Sequence, residues 1–323
     1  MIPLTIEGRL GAAIDALDWA ITRHPPTSSA RGEGTWFPLA RKLALELSRQ
    51  ATTIGVSIDW DIVPNLFHQI LIASKRIIPI DLISCGEGLL GAESVIAHIV
   101  AKEEELPGRI LNALEEEEAP LRRIAHVCTY YPGSTSLHQM DVVSATLGLG
   151  NKLAIEHYFY PEQKVAMGLF GRADLDILHF ECHGASSDLQ IDTPYGVPFD
   201  VRQLYSSDGP SIYFFLGCNA GSDIDSTAPY FVQEGAKASI GSYCGFLSGG
   251  DSGAVSLSAY YDELYQGLIS GKRLGDAVRA GRKAAFPGRV YYCAWLLFGN
   301  PNVRFSTKAF GGAEPKPRLR RTG

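Results

Sequence analysis

The sequence has no long uninterrupted apolar run, and its net charge is not positive. Near the N-terminus, charged residues such as Arg9, Asp15 and Asp18 interrupt the apolar positions, and nowhere does a run approach the roughly 20 residues of a membrane-spanning helix. The formal net charge is -6, whereas nucleic acids and anionic membranes attract basic chains. These absences predict a soluble, cytoplasmic protein that binds neither nucleic acid nor membrane.

Closely spaced cysteine pairs are also missing. The six cysteines are Cys85, Cys128, Cys182, Cys218, Cys244 and Cys293. They form no C-x-x-C pair and no pattern of short, disulfide-closed loops. In a chain of 323 residues this scatter indicates reduced thiols in a cytoplasm.

No pattern in the sequence predicts a metal or a cofactor. In a strand, His179, Glu181 and His183 lie on one face. Cys182 lies on the other face, and no second closely spaced pair of metal ligands exists. Residues 86–91 have the glycine spacing of a dinucleotide fingerprint, but a proline interrupts the preceding run and no acidic residue follows at the required distance. We therefore expect neither a metal nor a cofactor.

Two apolar runs each end in a reactive side chain followed by small residues. Residues 175–182 lead to His183 and Gly184, and residues 211–217 lead to Cys218. Continuous apolarity bounded by Gly, Ser and Asp predicts strands that are covered on both faces, as in a parallel sheet. Because neighbouring parallel strands place their carboxyl ends together, we expect His183 and Cys218 to face each other across one crevice.

This pair of side chains has a defined chemistry. A cysteine becomes a strong nucleophile as the thiolate, which a nearby imidazole favours, and the same imidazole can later protonate a leaving amine. The main-chain NH groups of Gly184 and Cys218 are candidates to bind a developing oxyanion. The runs therefore indicate Cys218 as nucleophile, His183 as general acid and base, and an oxyanion hole formed by Gly184 and Cys218.

The order of these features resembles the caspase-like cysteine peptidases, in particular the bacterial CHAT domains. His183-Gly184 follows one apolar strand, and Cys218 follows another 35 positions later. Residues 226–235 then resemble the family's next helix and residues 236–243 its following strand.

The resemblance continues towards the C-terminus. Residues 271–279 are similar to the family's G-x-x-L-G-x-A-x-R helix, and residues 298–301 to its terminal G-[DN]-P strand end. Together the matches cover residues 122–305. Residues 217–221 depart from the Q-A-C-x-G signature of animal caspases, so a preference for aspartate is not carried over.

The resemblance and the order of predicted elements imply the same fold. From residue 121 onward, strand and helix candidates alternate, which is typical of a parallel sheet with helices on its faces. We expect an α/β, caspase-like three-layer sandwich with a mostly parallel central sheet at residues 121–307. A mainly helical N-terminal region at 1–120 precedes it and a disordered basic tail at 308–323 follows. Helices of the first region are predicted at residues 8–23, 38–53, 61–75 and 92–102.

For function, the resemblance implies a cysteine endopeptidase that cleaves a protein substrate. Relatives of this type in bacteria commonly act in antiviral defence, where they cut a pore-forming, gasdermin-like protein or another effector once a sensor is triggered. Residues 1–120 would then bind a partner such as a sensor or activator protein. The alternative is a catalytically silent caspase-like module that docks a partner in a signalling or defence complex, against which the presence of both His183 and Cys218 argues.

The sequence leaves two alternatives for the pocket that would bind the side chain before the scissile bond. In relatives such as separases, an acidic residue just after the fifth strand selects basic side chains, because a buried cation needs a carboxylate partner. Asp251 lies at the comparable place, on a flexible Gly-rich loop predicted at 247–253, and Asp223 is a further candidate. A pocket lined by Tyr243 would instead prefer Leu or another uncharged side chain.

Overall fold

A computed structural model supplies the fold of this chain. It describes residues 8–23, 36–129, 154–159, 161–182, 190–191, 199–200, 204–244, 251–285 and 293–306. For residues 22–23, 190–191, 199–200 and 251–258 the description is of the backbone alone. The sequence also predicts a helix at 136–149, and this range and the predicted tail at 308–323 lie outside the described residues.

The helices of the described chain vary from one turn to five. They are α1 (Arg9–Arg23), α2 (Trp36–Thr53), α3 (Val63–Leu66), α4 (Leu90–Glu93), α5 (Leu106–Leu114), α6 (Gln163–Gly168), α7 (Thr227–Glu234), α8 (Asp251–Ile269) and α9 (Leu274–Ala285). In this part of the chain, no helix has both the length and the apolar character required to cross a bilayer.

The strands are mostly short. They are β1 (Gln69–Ser74), β2 (Ser84–Cys85), β3 (Gly88–Leu89), β4 (Val95–Val100), β5 (Glu117–Pro120), β6 (Arg123–Cys128), β7 (Ala154–Phe159), β8 (Ile177–Glu181), β9 (Gln190–Ile191), β10 (Phe199–Asp200), β11 (Ile212–Leu216), β12 (Ala238–Ser242), β13 (Trp295–Gly299) and β14 (Val303–Ser306).

Eight of the described strands form one central sheet in the order β1-β4-β13-β12-β11-β8-β6-β7. The five neighbouring strands at one end of this order, β12, β11, β8, β6 and β7, are all parallel. Strand β1 is parallel to β4, and β13 runs antiparallel to β12. The remaining strands pair two by two outside this sheet. The predicted fold class, an α/β protein with a mostly parallel central sheet, is confirmed.

The alternation of side chains along each strand divides the core into two layers. Tyr213 and Phe215 of β11 pack on one face with Phe231 of α7 and with the apolar positions of α1 and α2. On the other face, Phe214 packs with Tyr265 of α8 and the apolar positions of α9. Both faces are covered, which explains why these strands lack the polar alternation of a half-exposed sheet.

The structure corrects two helices predicted in the N-terminal region. The ranges 61–75 and 92–102 each contain a sheet strand, β1 and β4 respectively. Both runs are rich in isoleucine and valine, whose branched side chains suit a pleated surface. All six residues of β4 are buried, and such a run has no period that distinguishes a strand from a buried helix.

These two strands join the N-terminal region to the rest of the fold. His98 of β4 lies opposite Phe298 of β13, and β5 pairs in parallel with β14 near the C-terminus. The two sides of the predicted boundary at residue 120 therefore share one sheet and one core. The role predicted for residues 1–120, partner binding or activation sensing, stays a prediction.

A buried ion pair supports the same junction. The carboxylate of Asp81 contacts His98 Nε2 at 2.7 Å and Arg282 Nη1 of α9 at 2.8 Å. Each of the three residues is at most 1% exposed. Arg282 also donates to the carbonyls of Gly91 and Trp295, so one guanidinium on α9 links Asp81 and Gly91 of the N-terminal region to β13.

Candidate active site

Cys218 lies two residues beyond the end of β11, where the chain leaves the sheet. β11 is buried along its whole length and pairs in parallel with β8, with Leu216 opposite Glu181. All six cysteines lie in the described part of the chain, and Cys218 is partly exposed whereas the other five are buried. Burial raises the pKa of the Cys85 and Cys293 thiols to about 12 and raises that of Cys244 as well. Cys218 is therefore the thiol that a solvent-borne substrate can reach.

The turn that carries Cys218 is fixed by close packing against β12. Asn219 has a φ of 60°, a left-handed conformation that asparagine tolerates better than most residues. Its NH group donates to the carbonyl of Cys244 at 3.4 Å, and that of Gly221 donates to the carbonyl of Ser242 at 2.7 Å. A Cβ atom at Gly221 would lie 2.8 Å from the carbonyl oxygen of Gly241, so the turn approaches β12 more closely than a side chain allows.

His183 and Gly184 lie outside the described residues. Cys182, the residue before them, is buried, and its NH group approaches the carbonyl oxygen of Leu216 at 3.5 Å. The described end of β8 therefore lies beside the end of β11, as the sequence predicts for two neighbouring parallel strands.

The structure changes the setting of Asp251. This residue is the first of α8, so the part of the predicted loop from Asp251 to Gly253 is helical instead. Whether Asp251 lines a substrate pocket stays a prediction.

The two other predicted pocket residues occupy different environments. Asp223 is exposed and its carboxylate accepts a hydrogen bond from the NH group of Ile224. It lines an open cavity of about 730 Å³ together with Asp15 and Arg76. Tyr243 is only 4% exposed and packs in the core. Of the two, Asp223 is the one that solvent reaches.

A cluster of polar side chains that the sequence analysis missed lies under this edge of the sheet. His126 of β6 is opposite His179 of β8, and Glu181 follows on the same face two residues later. These three residues are at most 2% exposed. Glu181 Oε1 is 3.6 Å from His126 Nε2 and 3.5 Å from His179 Nε2. His126 Nδ1 also contacts His157 Nδ1 at 3.2 Å, so His126 is a hydrogen-bonded core histidine.

Burial and mutual contact shift the pKa values of this cluster. Burial lowers the pKa of His179 to about 4 and, with the nearby charge of His126, that of His157 to about 4. Burial by itself raises the pKa of Glu181, but hydrogen bonding from His126 and His179 outweighs it and lowers the pKa to about 2. The cluster thus contains an ionised Glu181 carboxylate beside a neutral His179 imidazole.

Comparisons with known proteins give a distant likeness. No protein-family model and no curated protein matches the chain. Two crystal structures of the Saccharomyces cerevisiae separase–securin complex, at 2.6 and 3.0 Å resolution, align with 82% and 94% of this chain at 13% and 11% identity. Their TM-scores are 0.47 and 0.49, and the chain spans about a fifth (18% and 23%) of the length of the matched chains. A likeness this distant assigns neither a family nor an activity.

Proposed function

We propose that this protein is a caspase-like cysteine endopeptidase. The observation that carries the proposal is the position of Cys218, the one partly exposed cysteine of six, directly after a buried strand that runs parallel to the strand before His183. Nucleophiles of open α/β sheets lie at the carboxyl ends of the strands. The order of features along the chain, which resembles the CHAT domains, supports the same assignment.

The proposed reaction needs two side chains and two main-chain groups. His183 takes the proton of the Cys218 thiol, and the thiolate attacks the carbonyl carbon of the scissile bond. The NH groups of Gly184 and Cys218 stabilise the oxyanion that forms. His183 then gives its proton to the leaving amine as the C–N bond breaks, and water, deprotonated by His183, hydrolyses the remaining thioester.

Two carboxylates are candidates to select a basic side chain before the scissile bond. Asp251 begins α8, and Asp223, five residues after Cys218, is exposed to the open cavity. A carboxylate that meets the cation offsets its loss of hydration. Cleavage of a peptide library after Arg or Lys supports this selection, whereas cleavage after Leu supports the uncharged pocket at Tyr243.

The biological setting of the proposal rests on the resemblance alone. It places the protein in the bacterial cytoplasm as an antiviral-defence protease that cuts a gasdermin-like pore former or another protein effector. Residues 1–120 would receive the signal of a sensor or activator. Two strands of this region, β1 and β4, lie in the central sheet, where β13 and β12 separate them from β11.

The experiment that tests the proposal measures thiol reactivity and cleavage together. The full chain is treated with a limiting amount of iodoacetamide near pH 7, and modified cysteines are mapped by mass spectrometry. We expect Cys218 to react first, and we expect His183→Ala to slow this reaction about tenfold because the thiolate loses its imidazole partner. A denatured peptide library should be cut by the parent protein and not by Cys218→Ala.

Two results separate the proposal from its alternative. A Cys218 alkylation rate that is unchanged in His183→Ala, with no peptide cut, would identify a catalytically silent docking module. Cleavage by a well-folded Cys218→Ala protein would exclude this cysteine as the nucleophile. Cys244→Ala serves as the matched control, because this nearby thiol is buried and its loss should leave both readouts unchanged.

A further inference from the structure

Four oxygen and nitrogen donors converge in the buried cluster under the active-site edge. Besides His126, His179 and Glu181, the hydroxyl of Tyr261 on α8 lies 3.3 Å from His179 Nε2 and 3.4 Å from Glu181 Oε1. Tyr261 is 1% exposed. Single ligand atoms of the two histidines and the carboxylate all lie within 4.8 Å of one another. The set unites β6, β8 and α8 at one point.

The separations in this cluster fit a metal better than direct hydrogen bonds. Four contacts between these ligand atoms measure 3.3, 3.4, 3.5 and 3.6 Å, longer than the usual 2.7–3.2 Å of a hydrogen bond. Ligands about 2.0–2.1 Å from a tetrahedral zinc ion are separated by about 3.3–3.4 Å. Four of the six separations between the ligand atoms are therefore close to those around a tetrahedral ion.

The opposite ring nitrogens of both histidines are already engaged. His179 Nδ1 contacts the hydroxyl of Tyr265, and His126 Nδ1 contacts His157 Nδ1 at 3.2 Å. Such outer contacts fix the tautomer and ring orientation of metal-binding histidines and leave Nε2 for the ion.

Two buried atoms of the cluster form no hydrogen bond of ordinary length with the described residues. They are His126 Nε2 and Glu181 Oε2, both fully buried. Buried polar atoms are normally satisfied by hydrogen bonds, and a buried carboxylate needs a cation. In the described part of the chain, the side chains that contact the Glu181 carboxylate are those of the two histidines and Tyr261, and none is a lysine or an arginine. A cation bound to Glu181 Oε1 would neutralise the buried carboxylate and would give His126 Nε2 a partner.

We propose that His126, His179 and Glu181, with Tyr261 as fourth ligand, bind a structural divalent transition-metal ion of the zinc type. Imidazole and carboxylate ligands in a closed four-coordinate site suit Zn²⁺. The ion fixes the C-terminal part of β8 to β6 and α8. Because the site is buried, it fills as the chain folds. This inference does not rest on the proposed peptidase activity.

Elemental analysis tests the site. The full chain is produced in medium supplemented with Zn²⁺, dialysed against EDTA without denaturant, and analysed for bound metals. We expect about one zinc per chain in the parent protein and less than about a tenth in Glu181→Gln and His126→Asn. Refolding the parent from guanidinium chloride with Co²⁺ in place of Zn²⁺ should give the visible absorption of a tetrahedral cobalt complex.

Two control variants make the result specific. His98→Gln changes another buried histidine that contacts a carboxylate on the same sheet, and it should keep the metal. Cys218→Ala should also keep it, which separates this site from the proposed nucleophile. If the ligand variants do not fold, the metal content and the cobalt spectrum of the parent protein test the proposal. A folded parent protein with no bound metal and no cobalt absorption overturns the proposal, as does metal fully retained in folded Glu181→Gln and His126→Asn.

Discussion

The close approach of the Cys218 turn to β12 predicts that Gly241→Ala will destabilise the protein. A Cβ atom at this position would lie 2.5 Å from the Cβ of Ala228 and 2.9 Å from the carbonyl carbon and oxygen of Ala220. Ordinary contacts of this kind measure 3.4–4 Å, so α7 or the turn must move by about 1 Å or more. None of these atoms belongs to a flexible side chain that can swing away.

The expected loss follows from the cost of overpacking. Extra atoms in a close-packed site lower the free energy of unfolding by about 1–3 kcal/mol. Because two of the contacting atoms belong to the backbone, we expect a loss in the upper half of this range for Gly241→Ala, about 2–3 kcal/mol. Urea titration followed by circular dichroism measures the free energy of unfolding. The rate of Cys218 alkylation in the folded variant should also change, because the displaced turn is the one that carries this thiol.

Two further variants provide the controls. Gly108→Ala in α5 has nothing within 4 Å of the new atom and should leave the stability equal or raise it by up to about 1 kcal/mol. Adding Ala228→Gly to Gly241→Ala relieves the nearest contact and should recover about 1 kcal/mol, since contacting residues couple in double-mutant cycles. A Gly241→Ala protein as stable as the parent, with unchanged Cys218 reactivity, would refute the reasoning.

Two other predictions concern buried charge. Arg282→Met leaves Asp81 without its cation and should lower the free energy of unfolding in urea by about 3–5 kcal/mol. Arg279→Met, at a side chain 31% exposed, should change it by less than about 0.5 kcal/mol, and equal losses would contradict the buried pair. Burial raises the pKa of Asp18 to about 7, so ionising this carboxyl destabilises the folded state as the pH rises from about 4 to 7. In urea titrations, the free energy of unfolding of Asp18→Asn should nearly equal that of the parent at pH 4 and exceed it by about 1 kcal/mol at pH 8. This value is reduced because the side chain is 36% exposed. The same difference at both pH values would contradict this prediction.

The sequence predicts the strands of the C-terminal part well because their signals are local. The runs before His183 and after Ser211 are apolar, short and bounded by turn residues, and the structure places β8 and β11 within them. Ser226 precedes α7 and Gly235, with a φ of 126°, ends it, as cap residues of these types indicate.

The features that the sequence missed depend on partners far along the chain. β4 is a strand because β1 and β13 lie on either side of it, and β13 is about 200 residues away. The pairing of His126 with His179 is a matter of register between two strands, and register cannot be taken from either strand alone. The alternation of side chains along one strand correctly predicts that His179 and Glu181 share a face. It does not predict that His126 and Tyr261, which belong to other elements, lie beside them.

The place of β13 in the sheet has a consequence for synthesis on the ribosome. This strand, Trp295–Gly299, lies between β4 and β12, although both of those strands are translated long before it. Until residue 299 has emerged, the nascent chain holds two partial sheets, each with an open edge of the kind that invites pairing with other chains. The two halves can join only after β13 has been translated, so assembly of the strand layer behind Cys218 waits for a segment about 80 residues further along the chain.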